Sequence, residues 1–511
     1  MSTTPIDPTE RPAEVLEEPH LVGDPRDEPT SLRRLAARGT LINAAFFVGL
    51  QTLGLFKSFA VAVFLSKSEY GVWGILVIAL GTLAWLKEGL GEKFVQQDDD
   101  DQCTAFQRAF TIDLIANSLL MLLMLATLPL FALAYGQWSI VAPGLVLIAV
   151  LPAMSLRAPT WIFYRQLRYG RQRALEAVDP IVSLIVTIVL AVAGLGYWSL
   201  VIGFAAGVWA AGAVAVALSP YPLRLRYDRK TAGEYFHFTW PLFVSNLSVL
   251  FIPQISMLAG EAKLGLAGAG VIQLAGTIGT YTDRVDAVIT EALYPAICRV
   301  KDRVDVLYEA FVKSNRLDLM WGVPFGVAVT LYAPDLVHFV IGEKWESGLV
   351  LIQAFGLISA LNHFGYNWAA FLRARDETRP MAVVGPIVLL AFCTMTLPLL
   401  IAFGLDGLAV GMCLMVLVSL GLRAHYVKKL FPGYSMIRQA IRAILPTLPA
   451  VGVALAFREL MPGARTPGAA VAEIALYVGV TAAATLVLER ALVREVIGYL
   501  RGRSRPFADA V

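Results

Sequence analysis

Charge is scarce in this sequence. Only 16% of its residues are charged, against 57% hydrophobic, and the mean hydropathy is +0.65. That balance lies far from an ordinary soluble domain. Cysteine is also rare: Cys103, Cys298, Cys393 and Cys413 are scattered without metal-ligand spacing, which argues against a disulfide framework and against a zinc site. No GxxxxGK[ST] loop is present, so no nucleotide-hydrolysing motor is built in. The short alternating strands of a membrane barrel are missing too. No long outer connection offers room for a catalytic domain, and no outer carboxylate pair suits sugar transfer, so a membrane-embedded glycosyltransferase is disfavoured. No cofactor and no nucleic-acid partner is expected.

What the chain does have is apolar runs long enough to cross a bilayer, recurring throughout. They predict an all-α polytopic membrane protein of about fourteen helices. These lie near 39–65, 71–91, 107–131, 138–160, 176–195, 197–218, 232–259, 265–294, 315–333, 347–372, 380–403, 405–425, 438–458 and 469–490. Residues 1–38 form a Pro-rich acidic segment with no apolar period, which reads as a disordered tail ahead of Arg33, Arg34 and Arg38. The first apolar run starts too late and is too long for a cleaved signal peptide.

Charge placement gives the orientation. Of 42 Lys and Arg residues, five (Lys67, Lys263, Lys344, Arg458 and Arg465) fall on the outer side and two (Lys57 and Arg284) fall inside helices. The rest cluster in alternate connections and in the tails. That asymmetry predicts cytoplasmic termini and an even number of spans in the bacterial inner membrane. The acidic run Asp98–Asp101 reads as a solvated cytoplasmic loop.

A weak internal repeat runs through the helices. Ala177-Val178-Asp179-Pro180-Ile181-Val182 is echoed by Val383-Val384-Gly385-Pro386-Ile387-Val388, and the outer turn Gly194-Leu195-Gly196 by Gly404-Leu405-Asp406-Gly407. Two units of six helices, 39–220 and 221–430, would share one orientation about an axis along the membrane normal. That is an arrangement of transporters, with the substrate path between lobes. Helices 13 and 14 (431–493) and a basic tail (494–511) are extra to the repeat.

The charges that fall within helices are the candidate site. The stretch 276–300 carries Asp283, Arg284, Asp286 and Glu291. It reads either as the wall of a polar pathway or as the cytoplasmic exit of its helix with the charges paired among themselves. Lys57, in helix 1, either snorkels outward or faces inward, where it and Arg284 would place two cations between the lobes. Glu88 and Asp113 are possible partners or proton acceptors. Trp73, Trp138, Trp198, Trp240 and Trp345 at helix ends are read as interfacial anchors. The segment from Glu489 to Leu500 is read as a basic amphipathic helix on the membrane surface.

Three stretches resemble a known family: FLSKSEYGVWGILVIALGTLAWLKEGLGEKFVQ, FYRQLRYGRQRALEAVDPIVSLIVTIVLAVAGLGYWSLVIG and ITEALYPAICRVKD. They are similar to the polysaccharide transporter family, the Wzx-type flippases of the multidrug/oligosaccharidyl-lipid/polysaccharide exporter superfamily. The resemblance covers about residues 39–430. It implies two six-helix lobes in a V with two peripheral helices, and alternating access. It also implies a cationic cavity for a polyprenyl-diphosphate-linked oligosaccharide, which on the positions above would use Arg284 and Lys57. Protons or cations would drive it through Asp283, Asp286, Glu88, Asp113 or Glu291. Lipid-linked substrate, membrane lipids and other polysaccharide-assembly membrane proteins are the implied partners. Peptidoglycan-precursor flippases and cation-coupled drug exporters of the same superfamily are the alternative reading.

Overall fold

The computed structural model describes residues 46, 49–50, 52–84, 90–96, 101–166, 168–281, 290, 293, 297, 300, 302–375, 377, 379–460 and 465–494. The described residues are helical and contain no strand. We number the long helices α1 (Thr52–Phe64), α2 (Lys67–Ala84), α3 (Gln102–Ala134), α4 (Trp138–Ser155), α5 (Tyr169–Val192) and α6 (Trp198–Ala217). An unbroken run, Arg229–Thr280, bends at Gly265 into α7 (229–264) and α8 (266–280). Then come α9 (Val304–Asp335) and α10 (Leu349–Asn362). A second bent run over Arg379–Leu430 gives α11 (379–403) and α12 (405–430), followed by α13 (Met436–Leu460) and α14 (Pro467–Leu488). Nine helices among the described residues are long and apolar enough to cross a membrane, with each bent run taken as one.

The ends of these helices follow from local chemistry. Asp101 caps α3 by accepting from the Thr104 N–H at 3.0 Å, so the one described member of the acidic run does a capping job. Thr466 caps α14 and Pro467 takes its first turn, where a missing N–H costs nothing. Gly265 (φ 70°) and Gly404 (φ 65°) make the two bends. A side chain there would clash in the left-handed region, so glycine lets the chain reverse without a loop. Both bends fall where the sequence pattern ends one helix and begins the next.

Large apolar side chains face outward along the bundle, such as Leu119, Leu122, Leu130 and Leu133 on α3 and Val471 and Val487 on α14. On a protein in water such a surface would aggregate; here it is the face that meets hydrocarbon. The protein is therefore a multi-pass membrane protein. The interior is packed by pairs: α5 along α6, α2 against the Arg229–Thr280 run, α9 along α10, and α13 along α14. One end of the bundle carries the short α1–α2, α9–α10 and α13–α14 connections, and the opposite end carries the basic segments. We call these the short-turn end and the basic end.

Several helices begin earlier than hydropathy indicates, among them α5 at Tyr169 instead of 176. α9 starts at Val304 instead of 315, because its first three turns are amphipathic: Val306, Leu307, Ala310 and Phe311 are buried, while Lys313 and Glu309 pair at 2.7 Å. α13 starts at Met436 with a turn whose Ile437 and Ile441 face outward and whose Gln439 faces inward. The connection between α9 and α10, read from sequence as a loop, is a π turn over Leu336–Ile341 followed by a 3-10 turn over Glu343–Gly348.

Candidate functional site

Lys57 does not reach out toward solvent. It sits half-buried on α1, and its Nζ donates to Ser183 Oγ on α5 at 2.6 Å. One helical turn before Ser183, on the same face of α5, stands Asp179, whose carboxylate acts electrostatically on the Lys57 ammonium. A second cation shares that carboxylate: Arg157, from the turn after α4, donates through a terminal guanidinium nitrogen to Asp179 Oδ2 at 3.0 Å. The helices can converge because α6 presents Gly207 at this level. A Cβ there would lie 2.5 Å from Asp179 Oδ1. The cluster therefore holds two cations and one carboxylate among the described residues, and it lies between helices that cross the membrane.

Asp113 is almost wholly buried on α3. Its Oδ2 accepts from Asn117 Nδ2 at 3.0 Å, and Asn117 also donates to Ser155 on α4. Ser155 is two residues from Arg157, so a polar seam runs from Asp113 toward the cluster. Asp179, however, is the carboxylate that faces Lys57. Arg284, Asp283, Asp286, Glu88 and Glu291 lie outside the described residues. The chain leading to four of them does approach α1: Ser58 Oγ and the Tyr281 hydroxyl are 3.3 Å apart, and Gly54 packs beneath the same hydroxyl.

The short-turn end is closed above this cluster. The last turn of α1 leaves carbonyls with no partner of their own, and the α9–α10 connection supplies one for each. Trp345 Nε1 donates to the Ala62 carbonyl at 2.9 Å, and Lys344 Nζ donates to the carbonyls of Val63 and Leu65, both at 2.7 Å. A cation at a helix C-terminus also meets the negative end of its dipole. Burial holds the Lys344 ammonium below the usual lysine range, with the Glu69 carboxylate opposing that shift. Trp345 is fully buried and meets Tyr70 edge-on at 5.6 Å. It is not an interfacial anchor. Beside it, α2 and α8 cross at backbone contact: a Cβ on Gly71 would fall 2.0 Å from the Leu266 carbonyl, and one on Gly270 would fall 1.9 Å from the Lys67 carbonyl.

A different ionic cluster sits where α9 meets the last two helices. Glu473 on α14 is completely buried, and its two oxygens accept from Arg458 Nε at 2.8 Å and from Arg465 at 2.9 Å. Arg465 also pairs with Asp335 at the end of α9, while Arg458 lies 5.6 Å above the Tyr332 ring. These hydrogen bonds hold the Arg465 guanidinium well above its ordinary range. Two cations meet two carboxylates, so the cluster is neutral.

Sequence reasoning found Lys57 and missed Asp179, Arg157 and Trp345. Asp179 lies inside the repeat motif 177–182, and Arg157 lies near the end of the apolar run 138–160. An arginine alone in the stretch AMSLRAPTW was the available signal.

No curated protein matches the sequence. The fold is similar to that of the lipid II flippase MurJ in an inward closed conformation, at TM-score 0.69 and 12% identity over 89% of this chain and 100% of that one. It is similar to an inward-facing MATE family multidrug resistance transporter of the MOP superfamily, at TM-score 0.63 and 12% identity over 78% of this chain and 100% of that one. A MOP superfamily transporter from Pyrococcus furiosus follows at TM-score 0.56 and 12% identity, covering 79% of this chain and 99% of the other. The family model described as "Polysaccharide biosynthesis protein" matches residues 60–349, more than half of the sequence, and that span takes in the Arg157–Asp179 pair and the Trp345 closure. The chain thus has the fold of the flippases and exporters of that superfamily, and it belongs to the polysaccharide biosynthesis protein family.

Proposed function

We propose that this protein is a flippase for polyprenyl-diphosphate-linked oligosaccharide. In this reading it moves the lipid from the cytoplasmic to the outer leaflet of a bacterial inner membrane, for surface or exopolysaccharide synthesis. It carries out transport and no catalysis. The observation that carries the reading is that, among the described residues, the Lys57–Arg157–Asp179 cluster between membrane helices holds two cations and one carboxylate. An uncompensated charge in hydrocarbon is costly and marks a pathway. A diphosphate carries at least two negative charges, and lysine and arginine donors are its natural partners once water is removed. With substrate absent, Asp179 shields the two cations from each other. With substrate present, the diphosphate takes over part of that role.

Alternating access follows from the closure at the short-turn end. In this reading that end faces outward and the basic loops face the cytoplasm, with both termini inside. The two lobes, 39–220 and 221–430, would part at the Trp345 and Gly71–Gly270 contacts to release the head group. Arg284 is proposed as a further cation on the path, and Asp283, Asp286, Glu88, Asp113 and Glu291 as carboxylates that couple transport to an ion gradient. Other polysaccharide-assembly membrane proteins would be neighbours.

A second reading, a peptidoglycan-precursor flippase, is favoured by one observation: the fold likeness to the lipid II flippase spans 89% of this chain. Deleting the gene separates the two. Build-up of lipid-linked oligosaccharide on the cytoplasmic leaflet, cured by wild type and not by Lys57→Ala, supports the first. Arrest of wall synthesis with unchanged lipid-linked oligosaccharide supports the second. Altered drug sensitivity alone would move the assignment to a cation-coupled exporter.

A further inference from the structure

Between α2, α3, α4 and α7 lies a cavity of about 170 Å³, walled by Leu76, Met124, Leu128, Phe131, Leu147 and Ile148. An apolar cavity of about 150 Å³ takes a benzene ring, so this one has room for about one six-carbon group. Two wall residues are polar, Thr127 and Gln254, and both donate to backbone. Thr127 Oγ1 donates to the Leu123 carbonyl at 2.9 Å, and Gln254 Nε2 donates to the Ile78 carbonyl at 2.8 Å. A buried water needs two to four polar partners, which walls of this kind supply poorly. Apolar walls of that extent are packed best by hydrocarbon.

The position of the cavity says which hydrocarbon. Thr127 is exposed and stands at the rim, with the outward-facing Leu123 and Leu130 one turn to either side on α3. On α7, Gln254 has the outward-facing Phe251 and Leu258 one turn to either side. The cavity therefore opens on the surface that meets hydrocarbon. Three of its walls come from residues 39–220 and the fourth from 221–430, so it lies where the two sequence units meet, beside the Gln254–Ile78 bond that joins them. Leu76 and Ala79 lie about 14 and 18 Å along α2 from the short-turn end, and Lys57 lies about 10 Å along α1 from the same end. A lipid whose head group rests at the Lys57 cluster carries its chain at a similar depth, and the meeting of the two units is its way out to the bilayer.

We infer that this cavity is a chain site, which holds an isoprenyl unit of the transported lipid while the diphosphate sits at the Lys57 cluster. The choice of lipid rests on the flippase reading. A methyl-branched five-carbon unit fills such a volume more completely than an equal length of straight acyl chain. The chain then touches both sequence units at once, α2, α3 and α4 on one side and α7 on the other, and parting of the units releases it.

The test is photolabelling of the purified full-length protein in nanodiscs with a polyprenyl phosphate that carries a diazirine in its chain, followed by peptide mapping. Label is expected on 124–131 and 144–148. Unlabelled polyprenyl phosphate should displace it, and the same excess of phosphatidylcholine should not. Ala79→Leu puts three more carbons into the cavity and should cut the label there about tenfold, the scale on which overfilling a packed site costs. Thr127→Phe blocks the rim from an exposed position and should do the same, which covers the case of an Ala79→Leu protein that does not fold. Label spread over the outer apolar surface, equal displacement by phosphatidylcholine, or full label in both variants overturns the proposal. Flipping of lipid-linked oligosaccharide is measured on the same wild-type preparation. Flipping without label at the cavity sinks this inference alone, whereas label without flipping keeps the prenyl-chain site and removes the flippase reading.

Discussion

Two ionic clusters in this protein use the same residue types toward opposite ends. In the first half of the chain, Lys57 and Arg157 share one carboxylate among the described residues, that of Asp179. Where α9 meets α13 and α14, Arg458 and Arg465 are matched by Asp335 and Glu473, and both oxygens of the fully buried Glu473 are engaged. The second cluster has nothing left to offer a ligand. It fixes the last two helices to α9, and removing one member strands the rest. The first cluster has a charge to spare. Charge balance, more than the presence of charge, separates the fastening from the candidate site.

The comparison can be broken in four ways. The largest effect belongs to the balanced cluster. Glu473→Ala removes the fully buried carboxylate that two part-exposed arginines share, and each charge-assisted hydrogen bond lost is worth about 1.5–3 kcal/mol. Thermal unfolding should show a large fall in stability. A variant as stable as wild type would mean the cluster fastens nothing.

Next is Lys57→Ala, which should act on transport and not on the fold. Losing one charge-assisted contact to a phosphate is worth about 1.5–3 kcal/mol, or roughly ten- to a hundredfold in substrate affinity. Flipping of lipid-linked oligosaccharide in proteoliposomes should drop on that scale while Tm changes little. The reverse pattern would make this cluster a fastening too.

Trp345→Phe keeps the ring against Tyr70 and removes the hydrogen bond to the Ala62 carbonyl, a loss of about 0.5–1.5 kcal/mol. That shift should favour opening of the short-turn end. It can be read as faster labelling of a cysteine placed at Ala62 by a membrane-impermeant thiol reagent. Unchanged labelling would remove Trp345 from the closure. The smallest effect is expected from Thr466→Ala. It removes the cap of α14 next to Arg465 and should cost about 1 kcal/mol of stability, with transport unaffected. A large loss would show that the balanced cluster depends on its turn more than on its charges.

Most of the architecture was legible in the sequence. Hydropathy located the helices, because a membrane span must be apolar over its whole length. The two bends were legible as glycines between apolar runs, at Gly265 and Gly404. Hydropathy does not register a helix that continues beyond the apolar zone, so the amphipathic turns that open α9 lie outside the span expected from sequence. The site was harder for a different reason. Lys57 is conspicuous as a charge inside an apolar helix, but its neighbours come from positions 100 or more residues away. Asp179 and Ser183 are joined to it by the packing of α1 on α5, and Arg157 by a turn whose direction no periodicity encodes. Trp345 looked like an anchor because tryptophan at a helix end usually is one. Its burial depends on α1 ending where its three carbonyls need donors.

The most direct test of the surplus-charge account is a binding measurement on three proteins in nanodiscs. Wild type, Lys57→Ala and Arg458→Ala would each be titrated with a polyprenyl-diphosphate-linked oligosaccharide, and the folded fraction of each would be measured in parallel. The account predicts that Lys57→Ala weakens binding at least tenfold at an unchanged folded fraction. It predicts that Arg458→Ala lowers the folded fraction while the folded molecules bind like wild type. Wild-type affinity in Lys57→Ala would contradict it.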